Sequence, residues 1–364
     1  RRQAGRVLMN AGRAEPSLFD LDRPALEELL ADQPGYRIDQ LWSGLYEHAL
    51  DPSDISTLPR PLRERLSEAA PPALEAVTES TGDGGETTKF LWALRDGATV
   101  ETVLMAYPDG RTTVCVSTQA GCAMACSFCA TGQSGFERHL SAGEIVEQVV
   151  RAQRRANESP GGPRRVSNIV FMGMGEPLAN YDPTMEALRR IHDDIGIGAR
   201  RLTVSTVGLV PGIRRLAQEE LPVNLAVSLH AADDRLRDEL VPINRRWPIR
   251  ELITACADYF ATTGRRISFE WALISEVNDR YEDADRLAAL ARPLSAHVNL
   301  IPLNATPGYA VRGSSRNRVY RFRDRLADAG ITTTIRDTRG SEIDAACGQL
   351  RAGHEATPVE LRRH

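Results

Sequence analysis

Apolar positions change their spacing twice along this 364-residue chain. Between residues 17 and 70 they recur every three or four positions, as helices require. Leu26, Leu29 and Leu30 follow Asp22-Arg23-Pro24, where the aspartate can cap a helix and the proline can open it. Ile38, Leu41, Trp42 and Leu45 repeat the stripe; past Pro59 and Pro61, Leu62 and Leu66 begin a third. A small helical bundle follows from that spacing. From Leu74 the period falls to two. Strands are predicted around 76–80, 88–94, 101–107 and 112–116, separated by the turn signals Gly82-Asp83-Gly84-Gly85, Asp96-Gly97 and Asp109-Gly110.

Beyond the fourth strand the pattern alternates. Continuous apolar runs at 168–172, 202–206, 223–228, 267–271, 298–301 and 332–335 are interleaved with amphipathic stretches at 142–156, 184–192, 249–259, 283–291 and 316–327. Strands apolar on both faces, each followed by a helix, predict a parallel sheet with helices packed outside. Six or so such units predict an α/β fold, a partial (β/α)6 TIM-like barrel, with its chemistry at the C-terminal ends of the strands. The expected division is an accessory helical domain at 1–72, facing RNA, a β-hairpin extension at 73–110, the barrel at 111–350 and a tail at 351–364.

Composition narrows the class. At 42% hydrophobic the chain can bury a large core. No run reaches the roughly 18 apolar residues of a membrane span, and no signal-peptide core opens the chain. Six cysteines, three of them clustered, fit a reducing cytoplasm rather than a disulfide scaffold. The net charge of −4 is uneven, −6 over residues 1–100 and +2 beyond. Lys89 is the one lysine among 45 basic residues; a GC-rich genome would produce that arginine bias without any function. Locally, Arg312, Arg316, Arg318, Arg321, Arg323 and Arg325 face one acid, Asp324, either as a polyanion contact or as a solvated helix face.

The densest chemical signal is Cys122, Cys126 and Cys129, spaced C-x3-C-x2-C with no fourth cysteine or histidine in the run. Structural zinc takes four protein ligands, and iron–sulfur clusters are normally held by four thiolates. Three local thiolates therefore suggest a cluster with one iron open to a substrate. A zinc knuckle with a distant fourth ligand is the alternative; disulfides between cysteines so close are disfavoured. The run follows the first barrel strand. Gly173-Met174-Gly175-Glu176-Pro177 follows the second and lacks the third glycine of a dinucleotide fingerprint. Its glycines would let backbone approach a ligand, and Glu176 could accept from an ammonium group. Ser205 ends the third strand, Ser228-Leu229-His230 the fourth, and Asn304 follows the sixth. Each alone reads as a cap or a satisfied polar group. Together they ring one mouth with hydrogen-bonding groups, as an adenosyl ligand needs.

These residues resemble the radical S-adenosylmethionine superfamily and, within it, the RlmN/Cfr family of RNA adenine methyltransferases, nearest its RlmN branch. The resemblance runs from about Glu101 to Leu350. It rests on Cys115-Val116-Ser117, the cysteine run, Met172-Gly173-Met174-Gly175-Glu176-Pro177-Leu178 and Ser228-Leu229-His230-Ala231. Val241-Pro242-Ile243-Asn244, Thr338-Arg339-Gly340 and Asp344-Ala345-Ala346-Cys347-Gly348-Gln349-Leu350 complete it. It implies that Cys122, Cys126 and Cys129 hold a 4Fe–4S cluster whose open iron takes the amino and carboxylate groups of S-adenosylmethionine. It places Gly175, Glu176, Ser205, Ser228, Leu229, His230 and Asn304 against that cofactor. Cys347 becomes the cysteine that is methylated, Cys115 its partner thiol and Glu101 a proton acceptor. Two departures from the family pattern are visible: one extra residue between Glu101 and Cys115, and Leu303 and Ala305 flanking Asn304 where some members carry Trp and Pro.

The implied target is C2 of an adenosine, an electron-poor carbon that will not attack a sulfonium methyl. By resemblance, one S-adenosylmethionine methylates the Cys347 thiolate by displacement. A second is reductively cleaved, and its radical takes hydrogen from the S-methyl group, which then adds to adenine. Glu101 helps to remove the C2 proton, and Cys115 attacks the Cys347 sulfur to release product as a disulfide forms. The implied partners are 23S rRNA, tRNA and a flavodoxin- or ferredoxin-type reductant; two S-adenosylmethionines are used per turnover by a cytoplasmic monomer. Three alternatives stay open: Cfr-like methylation at C8, a glycyl-radical activase that would not need Cys115 or Cys347, and a zinc-stabilised RNA-binding module that is no enzyme. Cys256 reads as an ordinary core position.

Overall fold

In the computed structural model, which describes residues 17–159, 161–304, 306 and 311–350, each change of period becomes a change of element. The first 16 residues of the expected accessory domain and the tail at 351–364 lie outside the described residues. The helical stripes form α1 (Arg23–Leu29), α2 (Tyr36–Trp42) and α3 (Arg60–Ala69). Asp22 Oδ1 accepts from Ala25 N at 2.9 Å, the cap that satisfies one orphan amide of α1. Leu26, Leu30, Leu41, Leu45 and Leu66 are buried together. Polar contacts fasten this bundle to the barrel's outer helices: Gly143 N donates to Asp20 Oδ1 at 3.0 Å and Trp42 Nε1 to Asp194 Oδ1 at 3.2 Å.

The period-two segment forms β1 (Leu74–Gly82), β2 (Thr87–Leu94), β3 (Thr99–Ala106) and β4 (Thr112–Cys115), paired antiparallel in order. The Asp109-Gly110 turn between β3 and β4 is closed by a Gly110 N to Tyr107 O bond of 3.0 Å. Val103 faces Cys115 across the ladder. After β4 the chain forms β5 (Gln119–Gly121), α4 (Ala130–Ser134), β6 (Phe136–His139) and α5 (Ala142–Asn157). The β/α alternation then runs β7 (Asn168–Phe171), α6 (Tyr181–Asp193), β8 (Leu202–Thr206), α7 (Val210–Leu216), β9 (Asn224–Ser228), α8 (Asp234–Leu240) and α9 (Ile249–Thr263). It ends with β10 (Ile267–Leu273), α10 (Tyr281–Ala291), β11 (His297–Pro302), α11 (Arg316–Asp328) and β12 (Thr333–Ile335).

Among the described residues, one sheet of ten strands holds the molecule together, in the order β1-β2-β3-β4-β7-β8-β9-β10-β11-β12. From β4 to β12 every neighbour is parallel. That is the expected partial barrel: β4 and the six predicted apolar runs make seven parallel strands, and the last run, β12, is a short edge strand. The strands of 73–110 continue the same sheet. A second, two-stranded sheet, β5 with β6, was not legible in the sequence. Among the described residues no helix is long and apolar enough to cross a membrane.

A buried carboxylate ties the start of the extension to the barrel. Glu147, on α5, accepts from Ala73 N at 2.8 Å and Leu74 N at 3.4 Å, where β1 begins, and pairs with Arg151 at 3.0 Å. Removing it would strand two buried amides and strip Arg151 of its nearest acid. Glu147→Ala should therefore destabilise the fold by about 3 kcal/mol, read as a lower midpoint in urea unfolding.

Candidate active site at the cysteine loop

The loop after β4 carries the three cysteines to the C-terminal ends of the parallel strands. Glycine sets its shape. Gly121 has φ +70, and a Cβ there would lie 2.0 Å from Gly135 O, so β5 can close on β6 only without a side chain. Gln148, buried on α5, fixes the entry to the loop: its Oε1 accepts from Ser117 N at 2.8 Å and its Nε2 donates to Ser117 O at 3.0 Å. Ser127 N donates to Leu240 O at the end of α8. Cys122, Cys126 and Cys129 face an open cleft of about 990 Å³, including its mouth.

Burial governs the three thiols. It pushes Cys122 up to about 12 and Cys126 well above its ordinary value, and it raises Cys129. The neighbouring sulfurs add to the shift at Cys126. A cation at this wall would reverse that preference, because metal-bound thiols ionise. The same cleft is lined by Glu176, Ser205, Ser228, His230 and Asn304. Soft sulfur donors together with carboxylate, hydroxyl and amide groups fit an iron–sulfur cluster with a polar organic ligand. Among the described residues no three Cys, His, Asp or Glu side chains converge on a single-ion site; a cube needs no such convergence, since each thiolate takes its own iron.

Several expected residues line the cleft and also hold the fold together. A Cβ on Gly173 would meet Val116 O at 2.7 Å, and one on Gly175, at φ +101, would meet the Gln119 side chain at 2.6 Å. These glycines line the cleft and let the β7 loop pack on the β4 loop. Glu176 is buried, which raises its pKa to about 7, and its two oxygens accept from Leu178 N at 3.1 Å and Val207 N at 2.8 Å. The carboxylate thus ties the β7 and β8 loops together while lining the cleft. Leu229 does not line the cleft. Side chains alternate at a strand end, so Ser228 and His230 face in while Leu229 is fully buried in the core. Ala305 lies outside the described residues.

His230 sits at φ +58 with its ring edge-on to Phe128. Its Nδ1 accepts from Ala272 N at 2.9 Å, which assigns the proton to Nε2. Cys347 also reaches the cleft: Asn304 Nδ2 donates to its carbonyl at 3.0 Å, and Ala130 N donates to Gly348 O at 2.8 Å. Cys115 lies behind the lining residues, and burial, then Cys347, pushes its thiol up to about 12. All six cysteines are free thiols. Glu101, on β3, is not among the lining residues; it is buried, 3.0 Å from Lys89 Nζ.

Three charged residues of this region escaped sequence reasoning. Arg336, just after β12, lines the cleft, and the nearby Cys347 sulfur is the chief cause of its raised pKa. The strand-end rule applied to the last strand would have found it. Glu270 interrupts the apolar run of β10, a signal in itself; its oxygens accept from Ser268 Oγ and Asn299 Nδ2, both at 2.8 Å. Arg237 gave no signal within Asp-Arg-Leu-Arg-Asp-Glu-Leu, yet it is fully buried and donates to Leu229 O, Val207 O, Ser228 O and Asn244 Oδ1. The α11 arginine patch, in contrast, is less cationic than its sequence suggested. Arg325 forks onto Asp285 and Arg318 approaches Asp279, acids from other elements.

Strand-end chemistry of this kind fits a radical S-adenosylmethionine enzyme, and comparison with known proteins shows that class. The Radical SAM superfamily pattern matches residues 116–288. A crystal structure of a radical SAM methyltransferase from Sphaerobacter thermophilus superposes with a TM-score of 0.88 at 52% identity, covering 93% of this chain and 99% of that one. Proteins named "Probable dual-specificity RNA methyltransferase RlmN" are 52% identical in Parafrankia sp., over 96% of both chains, and 52% identical in Chloroflexus aurantiacus, over 94% of both. This chain belongs to the RlmN family of radical S-adenosylmethionine methyltransferases. Membership implies S-adenosylmethionine and a 4Fe–4S cluster as cofactors, and it sets aside the zinc-stabilised binding module.

His230 gives the site a pH signature. Burial, then the Arg237 guanidinium, lowers its pKa to about 3 from an ordinary 6.5. Below pH 6.5 the unfolded chain takes up a proton that the folded chain refuses, so stability is lost as pH falls from there toward 3. Between pH 6.5 and 5 the wild type should lose on the order of 1–2 kcal/mol more than His230→Gln, measured by urea unfolding across that range.

Proposed function

We propose that this protein methylates C2 of an adenosine in 23S rRNA, and in tRNA, through a methylated Cys347, as a cytoplasmic monomer. The observation that carries this reading is the placement of Cys347 in the wall of the same cleft as Cys122, Cys126 and Cys129, with Cys115 behind it. A radical enzyme that acts without a protein-borne methyl needs the first three cysteines and not the other two. RNA enters through the relatives' names, which call them dual-specificity RNA methyltransferases over nearly the whole of this chain.

Cys122, Cys126 and Cys129 would hold the cluster; Gly175, Glu176, Ser205, Ser228, His230 and Asn304 would hold S-adenosylmethionine. When bound, these cofactors supply a transferable methyl group and, after one-electron reduction by a flavodoxin- or ferredoxin-type donor, a hydrogen-abstracting radical, so that two S-adenosylmethionines serve one turnover. The chain's own residues do the rest. Cys347 accepts the methyl on sulfur and presents it to the base. Glu101 takes the C2 proton, and the odd electron left on the base returns to the oxidised one-electron donor. Cys115 then attacks the Cys347 sulfur: a sulfur–sulfur bond forms, the sulfur–carbon bond breaks, and its electron pair leaves with the product carbon, which gains a proton.

The test is incubation of reconstituted holoenzyme with ribosomal RNA, labelled S-adenosylmethionine and reductant, followed by nucleoside digestion against 2-methyl- and 8-methyladenosine standards. The 2-methyl product is expected; the 8-methyl product would mean Cfr-like regiochemistry. Cys347→Ala should abolish RNA methylation with cluster absorbance intact, and persistent methylation would sink the relay. Cys115→Ala should accumulate a protein–RNA adduct on a denaturing gel; turnover without such a species would remove Cys115 from its role.

A further inference from the structure

A chain that writes 44 of its 45 basic residues as arginine keeps a single lysine, Lys89, on β2. The ladders place it with care. Lys89 pairs with Val103 and Leu91 with Glu101, while Val103 pairs with Cys115. Opposed residues of an antiparallel pair share a face, as do alternate residues of one strand. Lys89, Glu101 and Cys115 therefore lie on the same face of the sheet.

Lys89 Nζ is 3.0 Å from Glu101 Oε1, with the lysine side chain 15% and the glutamate 4% exposed. The same ammonium donates to the carbonyl of Asp344 at 3.3 Å, three residues before Cys347. Asp344 has φ +52, a left-handed backbone that a non-glycine residue seldom adopts, and its carbonyl is the one Lys89 holds. Around it the segment rests on the same extension. Gly340 N donates to Asp83 Oδ2 at 2.8 Å, Asp83 N donates to Glu342 Oε1 at 2.6 Å, and Arg339 pairs with Glu86 at 2.6 Å. Only Lys89 among these contacts joins the segment to a buried carboxylate beside the cleft wall.

The residue type fits the task. An ammonium is a compact charge with three rotatable donors, able to serve a carboxylate oxygen and a carbonyl together. An arginine fork would grip both oxygens of Glu101, the atoms a base needs for a proton. We propose that Lys89 is a positioning residue that couples Glu101 to the docking of the Cys347 segment, aiming the carboxylate when Asp344 has settled on the same ammonium. The proposal rests on the assignment of Glu101 as proton acceptor and Cys347 as methyl carrier.

Full-length holoenzyme tests it with Lys89→Met, which keeps the stem and removes the charge, and with Lys89→Arg, which restores the charge. Three quantities are read: methyl loading of Cys347 by intact mass, methyl transfer to ribosomal RNA, and amide hydrogen exchange at 344–348. In Lys89→Met, loading should stay within about twofold of wild type while transfer slows about tenfold, the rate equivalent of one charge-assisted hydrogen bond. Exchange at 344–348 should rise about tenfold while β3 amides stay protected. Lys89→Arg should recover part of both losses. Unchanged transfer in Lys89→Met, an equal fall in loading and transfer, or unchanged exchange at 344–348 would each overturn the coupling. If wild-type protein itself transfers no methyl to RNA, the functional reading fails, and the exchange data still show whether Lys89 holds the segment.

Discussion

Burying three sulfur donors at the end of one strand is the constraint to which the rest of the molecule is fitted. Low dielectric and mutual repulsion both oppose thiolate formation there, as the raised values of Cys122, Cys126 and Cys129 register. Ligation has to overcome that opposition, so the loop must already hold the sulfurs at one wall of the cleft. Backbone contacts do this. Cys122 N donates to Gly135 O at 2.6 Å, and a Cβ on Gly132 would lie 3.0 Å from the Cys126 backbone. Side chains elsewhere in the loop could vary; these close approaches could not.

A second requirement follows, because the other ligand groups come from different strands. Parallel strands converge at their C-terminal ends, but the loops that leave them have no ladder to align them. Buried polar side chains supply the alignment. Arg237 gathers carbonyls from the β8 and β9 ends, and burial lowers its pKa to about 10, which leaves it charged at neutral pH. Asn278 donates to His230 O at 2.8 Å and Ala272 O at 2.7 Å and accepts from Ile274 N. Glu176 joins the β7 loop to the β8 loop. Satisfied networks of this kind favour one arrangement of the mouth, since any other leaves buried polar groups unpaired.

The difference between what was legible and what was not follows the range of the interactions. The parallel strands were legible because burial on both faces forces continuous apolar runs, and α1 was legible because Asp22 and Pro24 mark its start locally. The β5–β6 pair was not: Gln119–Gly121 and Phe136–His139 are held by Gly121 and by Arg138, whose partners Asp96 and Glu144 lie far away or on another element. Arg237 and Glu147 look like surface charges in sequence, since nothing adjacent reveals that their acceptors and donors come from other elements. Leu229 misled for the opposite reason. A contiguous motif, Ser228-Leu229-His230, invites a single reading, while strand alternation sends its middle residue to the core. Candidate site residues were legible where a cysteine or glycine motif concentrated them, and illegible where a lone charge was recruited through the fold.

The C-terminal segment completes the logic from the other side of the cleft. In the proposed relay, Cys347 has to meet a methyl donor, a nucleobase and the Cys115 thiol in turn, and a side chain fixed on a core strand could face only one of them. Its segment is built differently. Left-handed backbone at Gly340, Asp344 and Gly348 turns the chain on both sides of the cysteine. Ala345, Ala346 and Leu350 are buried, while the carbonyls of Cys347 and Gly348 accept single hydrogen bonds from Asn304 and Ala130. Each such bond contributes only about 1 kcal/mol net, so displacing the cysteine costs little beside unfolding a strand. The extension strands beside β4 then have a purpose beyond covering an edge. They place a row of polar contacts, from Asp83, Glu86 and Lys89, under the segment that carries Cys347.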